Sequence, residues 1–379
     1  MITTINNKHN KLNVPNLRFK EFQGEWEDFL INDVCSEFKS GKNIKADSVF
    51  ECGEYPVYGG NGLRGYTSSY NHEGSYVLIG RQGALCGNVR SVYGKTYITE
   101  HAIAVAGNEK SNTNFLHYLF LKMNLGQYSD QSAQPGLAVN KLLKLKVALP
   151  IISEQTKIAK LLSLLDERIA TQNKIIDKLQ TLIRGISNKL LNTDYGKKTR
   201  LGDILNECSE RTKVNNQYEV LSSTVNGLFS QREYFTKDIA SENNIGYKIL
   251  RLHDVVLSPQ NLWMGNINYN DKFEIGIVSP SYKIFSIVDG YDKKYVSALL
   301  KTHRALYNYS LVSEQGASVV RRNLNSEAFE QLTFIIPPIA NQRAIGYTIS
   351  LLRYRLEIEN MLKVTYLSQK QYLLRQMFI

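Results

Sequence analysis

Cysteine is scarce in this chain. Its 379 residues include four (Cys35, Cys52, Cys86 and Cys208), and no two form a C-x-x-C pair. That excludes a zinc ribbon or a disulfide-stapled scaffold and points to a reducing, cytoplasmic setting. No long uninterrupted apolar run occurs, so no membrane-spanning helix is expected. The opening stretch is polar and Asn-rich, without the apolar core of a secretory signal. Catalytic signatures are missing as well. An adenine methyltransferase needs [DN]-P-P-[YF], and the nearest match, Ser279-Pro280-Ser281-Tyr282, lacks both the leading acid or amide and the second proline. Gly94-Lys95-Thr96 ends like a phosphate-binding loop, but Val89 stands where that loop requires its first glycine. The six histidines show no H-E-x-x-H or other metal-ligand spacing. These gaps leave a non-enzyme, with no metal or cofactor expected in the chain itself.

What is present is a globular composition, 43% apolar, at a length that suits two domains. The net charge is +11, yet residues 151–200 contribute +5 and residues 337–379 contribute +4, so the two larger segments are nearly balanced. Binding of an anionic polymer by those larger segments would therefore rest on local faces and not on bulk charge.

The two basic segments repeat each other. Pro150, Gln155, Ile158 and Leu164-Leu165 recur as Pro337, Gln342, Ile345 and Leu351-Leu352, all at an offset of 187 without a gap. Both read as long helices that begin after a proline and contain none, with Ser153 as an expected N-cap. In the first, Ile158, Leu162, Leu165, Ile169, Gln172, Ile176, Leu179, Ile183, Ile186 and Leu190 alternate steps of four and three, a heptad seam. The second seam is less regular, with Lys363 and Lys370 on it, and Leu362, Tyr366, Leu373 and Met377 are expected to complete its apolar face. Gln172 and its repeat equivalent Glu359 are the polar members at mid-helix. An antiparallel pairing with pseudo-twofold symmetry would bring them together as one polar layer, the plainer alternative being that both face solvent.

Each helix follows a segment rich in short β-type runs broken by Gly and Asn, such as Tyr76-Val77-Leu78-Ile79 and Tyr282-Lys283-Ile284-Phe285. Each segment also has one helical stretch, near 114–124 and 294–307, and ends in an apolar strand before the proline. The expected plan is α+β: an N-terminal arm and globule over 1–150, a long helix and hinge over 151–197, a second globule over 198–337, and a second long helix over 338–379.

Unlike globules joined by like helices resemble the specificity subunit of type I restriction–modification enzymes. Val14-Pro15-Asn16-Leu17-Arg18-Phe19 with Gly24-Glu25-Trp26 is similar to the usual start of such subunits. Ile79-Gly80-Arg81-Gln82-Gly83 with Gly87, and Tyr97-Ile98-Thr99-Glu100-His101-Ala102, resemble one type of target-recognition domain. Leu149-Pro150 with Glu154-Gln155 and Ile158 resembles the join to the helix; the second join departs from it, with Asn341 in place of Glu. The resemblance implies two β-rich target-recognition domains, each reading half of a split double-stranded DNA site. It also implies an antiparallel helix pair that sets their spacing and docks two modification subunits. S-adenosylmethionine would then belong to those modification subunits, and ATP and Mg to restriction (motor) subunits. The alternative is a stand-alone bipartite DNA-binding or scaffold protein of the same plan.

Major-groove reading uses Arg or Lys for guanine and Asn or Gln for adenine on a rigid frame. Arg81 and Gln82 lie on a glycine-flanked turn, and Arg64 lies between glycines in a second expected loop. Gln134 and Lys141 are further candidates. In the second globule the candidates are Gln260, Asn261, Arg321, Arg322 and Asn323, the two arginines being equally suited to phosphates. The plainer reading of all of these is solvated turn residues.

Overall fold

The structure, a computed structural model, describes residues 2–4, 13–130, 135–234, 243–315 and 321–379. The chain is α+β and divides into two compact units: residues 1–173 with 361–379, and residues 174–360. The division falls inside the two long helices, Ile152–Leu191 and Ile339–Gln376. No helix among the described residues is long and apolar enough to cross a membrane.

The first unit is built on a six-stranded sheet in the order Cys35–Ser40, Ala102–Gly107, His72–Gly80, Val89–Ile98, Tyr55–Gly59, Gly62–Thr67. Its pairings are antiparallel except for Val57 beside Tyr97. Val77, Ile79, Ile103 and Val105 bury one sheet face under the helix Thr113–Met123, which contributes Phe115, Leu116, Leu119 and Phe120. Asn112 caps that helix, its side chain accepting from the amides of Asn114 and Phe115. The chain enters and leaves this globule as a ribbon, Glu27–Leu30 paired antiparallel with Lys146–Leu149.

Against this globule the first long helix packs Ile158, Ala159, Leu162 and Leu165 together with Leu373 of the second and with Met377 and Phe378 just past its end. The two helices run antiparallel here: Lys370 bonds Asp166 at 2.5 Å, while Tyr366 lies under Arg168. Lys370, one of the two lysines on the second seam, is thus held by a carboxylate on the first helix. Tyr118 donates to the same carboxylate at 2.9 Å. Every member of the first helix's heptad seam is buried or half-buried. Leu362, expected on the apolar face of the second helix, is instead exposed, because the seam passes through Lys363 and Tyr366. Ser153 lies within the first turn and not before it, since the helix already begins at Ile152.

The second unit repeats the plan with a smaller sheet, ordered Leu205–Cys208, Lys283–Ile287, Val255–Leu257, Ile267–Tyr269. Its ribbon is Lys197–Arg200 paired antiparallel with Thr333–Ile336. The helical stretch expected near 294–307 is two helices, Lys293–Leu299 and His303–Leu311, because the Thr302 hydroxyl caps the second by accepting from the Ala305 amide. Leu190, Leu191, Ile345 and Ile349 of the long helices join the core of this unit.

The repeated glutamines have a shared structural task. Gln155 donates to the Pro150 carbonyl at 2.8 Å and accepts from the Asn112 amide at 2.8 Å. Gln342 donates to the Pro337 carbonyl at 2.9 Å and accepts from the Asp292 amide at 3.0 Å. Asn112 and Asp292 both cap the helix packed on their sheet, so each glutamine fastens a long helix to its own globule. The joins differ at the preceding residue. Buried Glu154 accepts from Arg18 at 2.7 and 2.8 Å, whereas Asn341 donates to the Tyr195 hydroxyl at 3.0 Å, with no charge to balance.

Candidate nucleic-acid interface

In the first unit, the sheet strand His72–Gly80 runs into a nine-residue loop, 80–88, closed at its base by Gly80 N–H donating to the Asn88 carbonyl at 2.8 Å. Gly87 is obligatory there: its φ is +84°, and a Cβ would stand 2.2 Å from the Gly126 nitrogen. The segment 135–137 clasps the loop. Gly83 donates to the Pro135 carbonyl and Leu137 to the Arg81 carbonyl, both at 2.9 Å, and Gln82 bridges Gly136. Arg81 N–H in turn donates to the His101 carbonyl at 3.0 Å.

Arg64, expected on a loop, lies on the strand Gly62–Thr67 of a hairpin with Tyr55–Gly59. The flanking glycines admit a strand with an irregular register and make room for neighbours, a Cβ on Gly65 falling 2.5 Å from the Phe50 carbonyl oxygen. The hairpin turn packs on loop 80–88, Gly60 lying against the His101 carbonyl and the Gly80–Arg81 backbone. Arg64 runs its stem over Gly59, and the Arg90 guanidinium sits beside Gly62. The structure thus gathers Arg64, Arg81, Gln82 and Arg90 at one end of the sheet; of these, Arg81 is half-buried and the others are exposed. Arg90 is not among the residues expected from the sequence. It arrives by strand register, and no local pattern marks it. Lys141 is exposed and paired with Asp130 at 2.6 Å, and Gln134 lies outside the described residues.

The second unit has its own loop, 258–266, following the strand Val255–Leu257. Ser258 N–H donates to the Asn266 carbonyl at 3.0 Å, and Gly265 has a φ of +91°. Buried Asn266 accepts from the Ser223 hydroxyl at 2.7 Å and donates to the Ser223 carbonyl at 3.0 Å, fixing the base of the loop. Arg322 clasps it, its N–H donating to the Gln260 carbonyl at 3.1 Å and its guanidinium lying 4.2 Å over the Trp263 ring. The Arg322 Nε is buried without a hydrogen-bond partner among the described residues. Gln260, Arg321 and Asn323 are exposed and Asn261 is half-buried, while residues 316–320 lie outside the described residues. Trp263, the platform for Arg322, went unmarked in the sequence. Gln172 is buried in the first unit; Glu359 is buried in the second, where Arg355 pairs with it.

Beneath the second loop, Lys301 donates to the Gly265 carbonyl at 2.9 Å. Burial, with Arg353 nearby, pulls its ammonium down from 10.5 to about 8. The folded state therefore releases this proton first, and between those two values the unfolded chain holds more protons, so stability should rise with pH. The slope is at most about 1.4 kcal/mol per pH unit. Denaturant unfolding of wild type and Lys301→Met at several pH values isolates it: the stability of wild type relative to the variant should rise between pH 8 and 10.5. A flat difference would show that Lys301 titrates like a solvated lysine.

A family model, type I restriction modification DNA specificity domain, matches residues 23–181. The EcoprrI specificity subunit of a type I restriction enzyme from Escherichia coli is 42% identical over 154 residues, 40% of this chain and 38% of that one. The aligned stretch is thus well under two thirds of that relative's length. Among solved structures, the S subunit of a type I restriction-modification system from M. genitalium superposes with a TM-score of 0.68 at 15% identity, covering 97% of this chain and 99% of that one. A chain from a structure described as underlying complex assembly and conformational transition of the type I R-M system gives 0.51 at 12% identity, covering 92% and 96%. At such identities the likeness is one of fold. Residues 23–181 thus match the type I restriction modification DNA specificity domain, and the chain as a whole has the fold of an S subunit of that system.

Proposed function

We propose that this chain is the non-catalytic specificity subunit of a type I restriction–modification complex. Each globule reads one half of a bipartite double-stranded target, and the helices set the spacing and dock two modification subunits. Those subunits supply S-adenosylmethionine and the adenine methylation, and restriction (motor) subunits supply ATP hydrolysis with Mg. The observation that carries this reading is the matched specificity domain, whose end-of-sheet cluster holds Arg64, Arg81, Gln82 and Arg90 on a clasped, glycine-rich frame. Such a frame suits base and phosphate contacts, because the polar side chains are presented without loss of backbone order.

Docking is supported by apolar side chains left exposed on the long helices. Tyr347, Leu351 and Tyr354 in the second unit are spaced by four and three, one face of a helix. The test is co-expression with candidate modification subunits. A stable complex should form with a chain bearing an Asn-Pro-Pro-Phe or Asn-Pro-Pro-Tyr motif, and that complex should methylate adenines at one split sequence. Methyl transfer by the purified chain alone would sink the non-catalytic reading, and methylation at an unsplit sequence would sink the bipartite one.

A further inference from the structure

We propose that Gln82 and Gln260 occupy the same position in the two recognition loops and that each reads an adenine in its own half of the target. This rests on the half-site reading above and assigns a residue to it.

The two loops correspond residue by residue, although most of their side chains differ. Both are nine residues long, 80–88 and 258–266, and both follow a buried strand of the main sheet of their unit. In both, the N–H of the first residue closes the loop on the carbonyl of the ninth, at 2.8 Å and 3.0 Å. The eighth residue is a glycine in the left-handed region, Gly87 at +84° and Gly265 at +91°, and the ninth is an asparagine, Asn88 and Asn266. The third is a glutamine. Its backbone is the part clasped from outside, Gln82 bridging Gly136 and the Gln260 carbonyl accepting from Arg322.

The fold accounts for the glycine, which only a residue without Cβ tolerates, and in the second unit for the asparagine, whose side chain holds Ser223. It does not account for the glutamines. Both side chains are exposed, and among the described residues neither amide makes a hydrogen bond. A carboxamide held this way offers one donor and one acceptor side by side, the complement of adenine N7 and N6 in the major groove.

The arginine that accompanies each loop arrives by a different route. In the first unit it is Arg81, the second residue of the loop. In the second, Pro259 fills that place, and Arg322 comes from the clasping segment, steadied over Trp263 where the first loop has Leu85. The glutamine is thus the shared reader, and the arginine is placed separately in each globule.

The test uses the assembled complex and the split sequence found by mapping methylated adenines. Binding is measured to the parent duplex and to duplexes with each base pair replaced singly, for wild type, Gln82→Ala and Gln260→Ala. Melting of each complex, compared with wild type, separates a binding defect from a folding one. Wild type should lose roughly 10- to 100-fold on replacing one A·T pair in each half. Gln82→Ala should be weakened on the parent duplex and show no further loss when the A·T pair of one half is replaced, with the other half read normally. Gln260→Ala should do the same for the other half. Gln82→Glu should shift the preference at that position from adenine toward cytosine, whose N4 donates to a carboxylate. Equal weakening on every duplex, an unaltered preference at every position, or both variants acting on the same half would overturn the assignment. If exchanging a whole globule still changes one half of the target, the half-site reading survives that failure; if exchange changes neither half, the half-site reading fails with it.

Discussion

Exchanging residues 15–150 for those of a relative with a different target should change one half of the methylated sequence and leave the other half intact. Methylation at the parental sites should fall at least about 100-fold, since specific and non-specific binding differ by several powers of ten. The expectation follows from how loop 80–88, the proposed reader of the first globule, is held. Every backbone bond that closes or clasps it comes from residues 80–137, so the exchanged segment carries its own frame. The joins constrain the design. The entry and exit strands Glu27–Leu30 and Lys146–Leu149 pair with each other and must move together. The incoming segment must also retain Arg18, which balances buried Glu154, and Trp26 and Phe115, whose rings pack on Phe378. Stranding Glu154 without its arginine would cost roughly 3–5 kcal/mol, enough to be mistaken for lost recognition. Genome-wide mapping of methylated adenines reads the outcome, and a swap that altered both halves, or neither, would refute independent reading.

The second large effect concerns the helices as a ruler. If they set the half-site separation as proposed, one heptad added to each should lengthen it by about 10 Å, roughly three base pairs, with both half-sites unchanged. Insertion near residue 173 in the first helix and 360 in the second leaves the contacts inside each compact unit untouched. Seven residues preserve the phase of the buried seam through Ile158, Leu162 and Leu165, whereas four rotate it and should abolish activity. An unchanged spacer in the methylated sequence of the seven-residue variant would show that separation is fixed elsewhere.

The helices were legible because their signal is periodic and ungapped: every residue of the first seam, from Ile158 to Leu190, is buried or half-buried. The repeat at 187 was visible for the same reason. The correspondence of the two loops was not, because it lies at an offset of 178, with only Gln, Gly and Asn shared across nine positions. Backbone bonds reveal it where side chains do not. Arg81, Gln82 and Arg322 could be nominated from residue type and turn chemistry. Arg90 and Trp263 could not, since their roles depend on which strand or segment folds back beside them. The pairing of Arg18 with Glu154 is likewise invisible along the chain, as 136 residues separate them. Helix ends are hidden in the sequence where a single side chain decides them, as when the Thr302 hydroxyl starts a new helix in the middle of an expected one.

The first compact unit is also an assembly of two segments made far apart in time, 1–173 and 361–379. Leu373, Met377 and Phe378 are buried in the same core as Trp26 and Phe115. A ribosome that has finished residue 173 must still add the 187 residues of the second unit before it reaches residue 361. At ~5–20 residues per second that takes roughly 10–40 s, during which the first globule lacks one wall of its core. The second unit is contiguous and meets no such delay. The nascent chain therefore completes its second globule before its first, and a frameshift among the codons for residues 373–378 would damage the globule that holds Trp26 and Phe115, leaving the one between them whole.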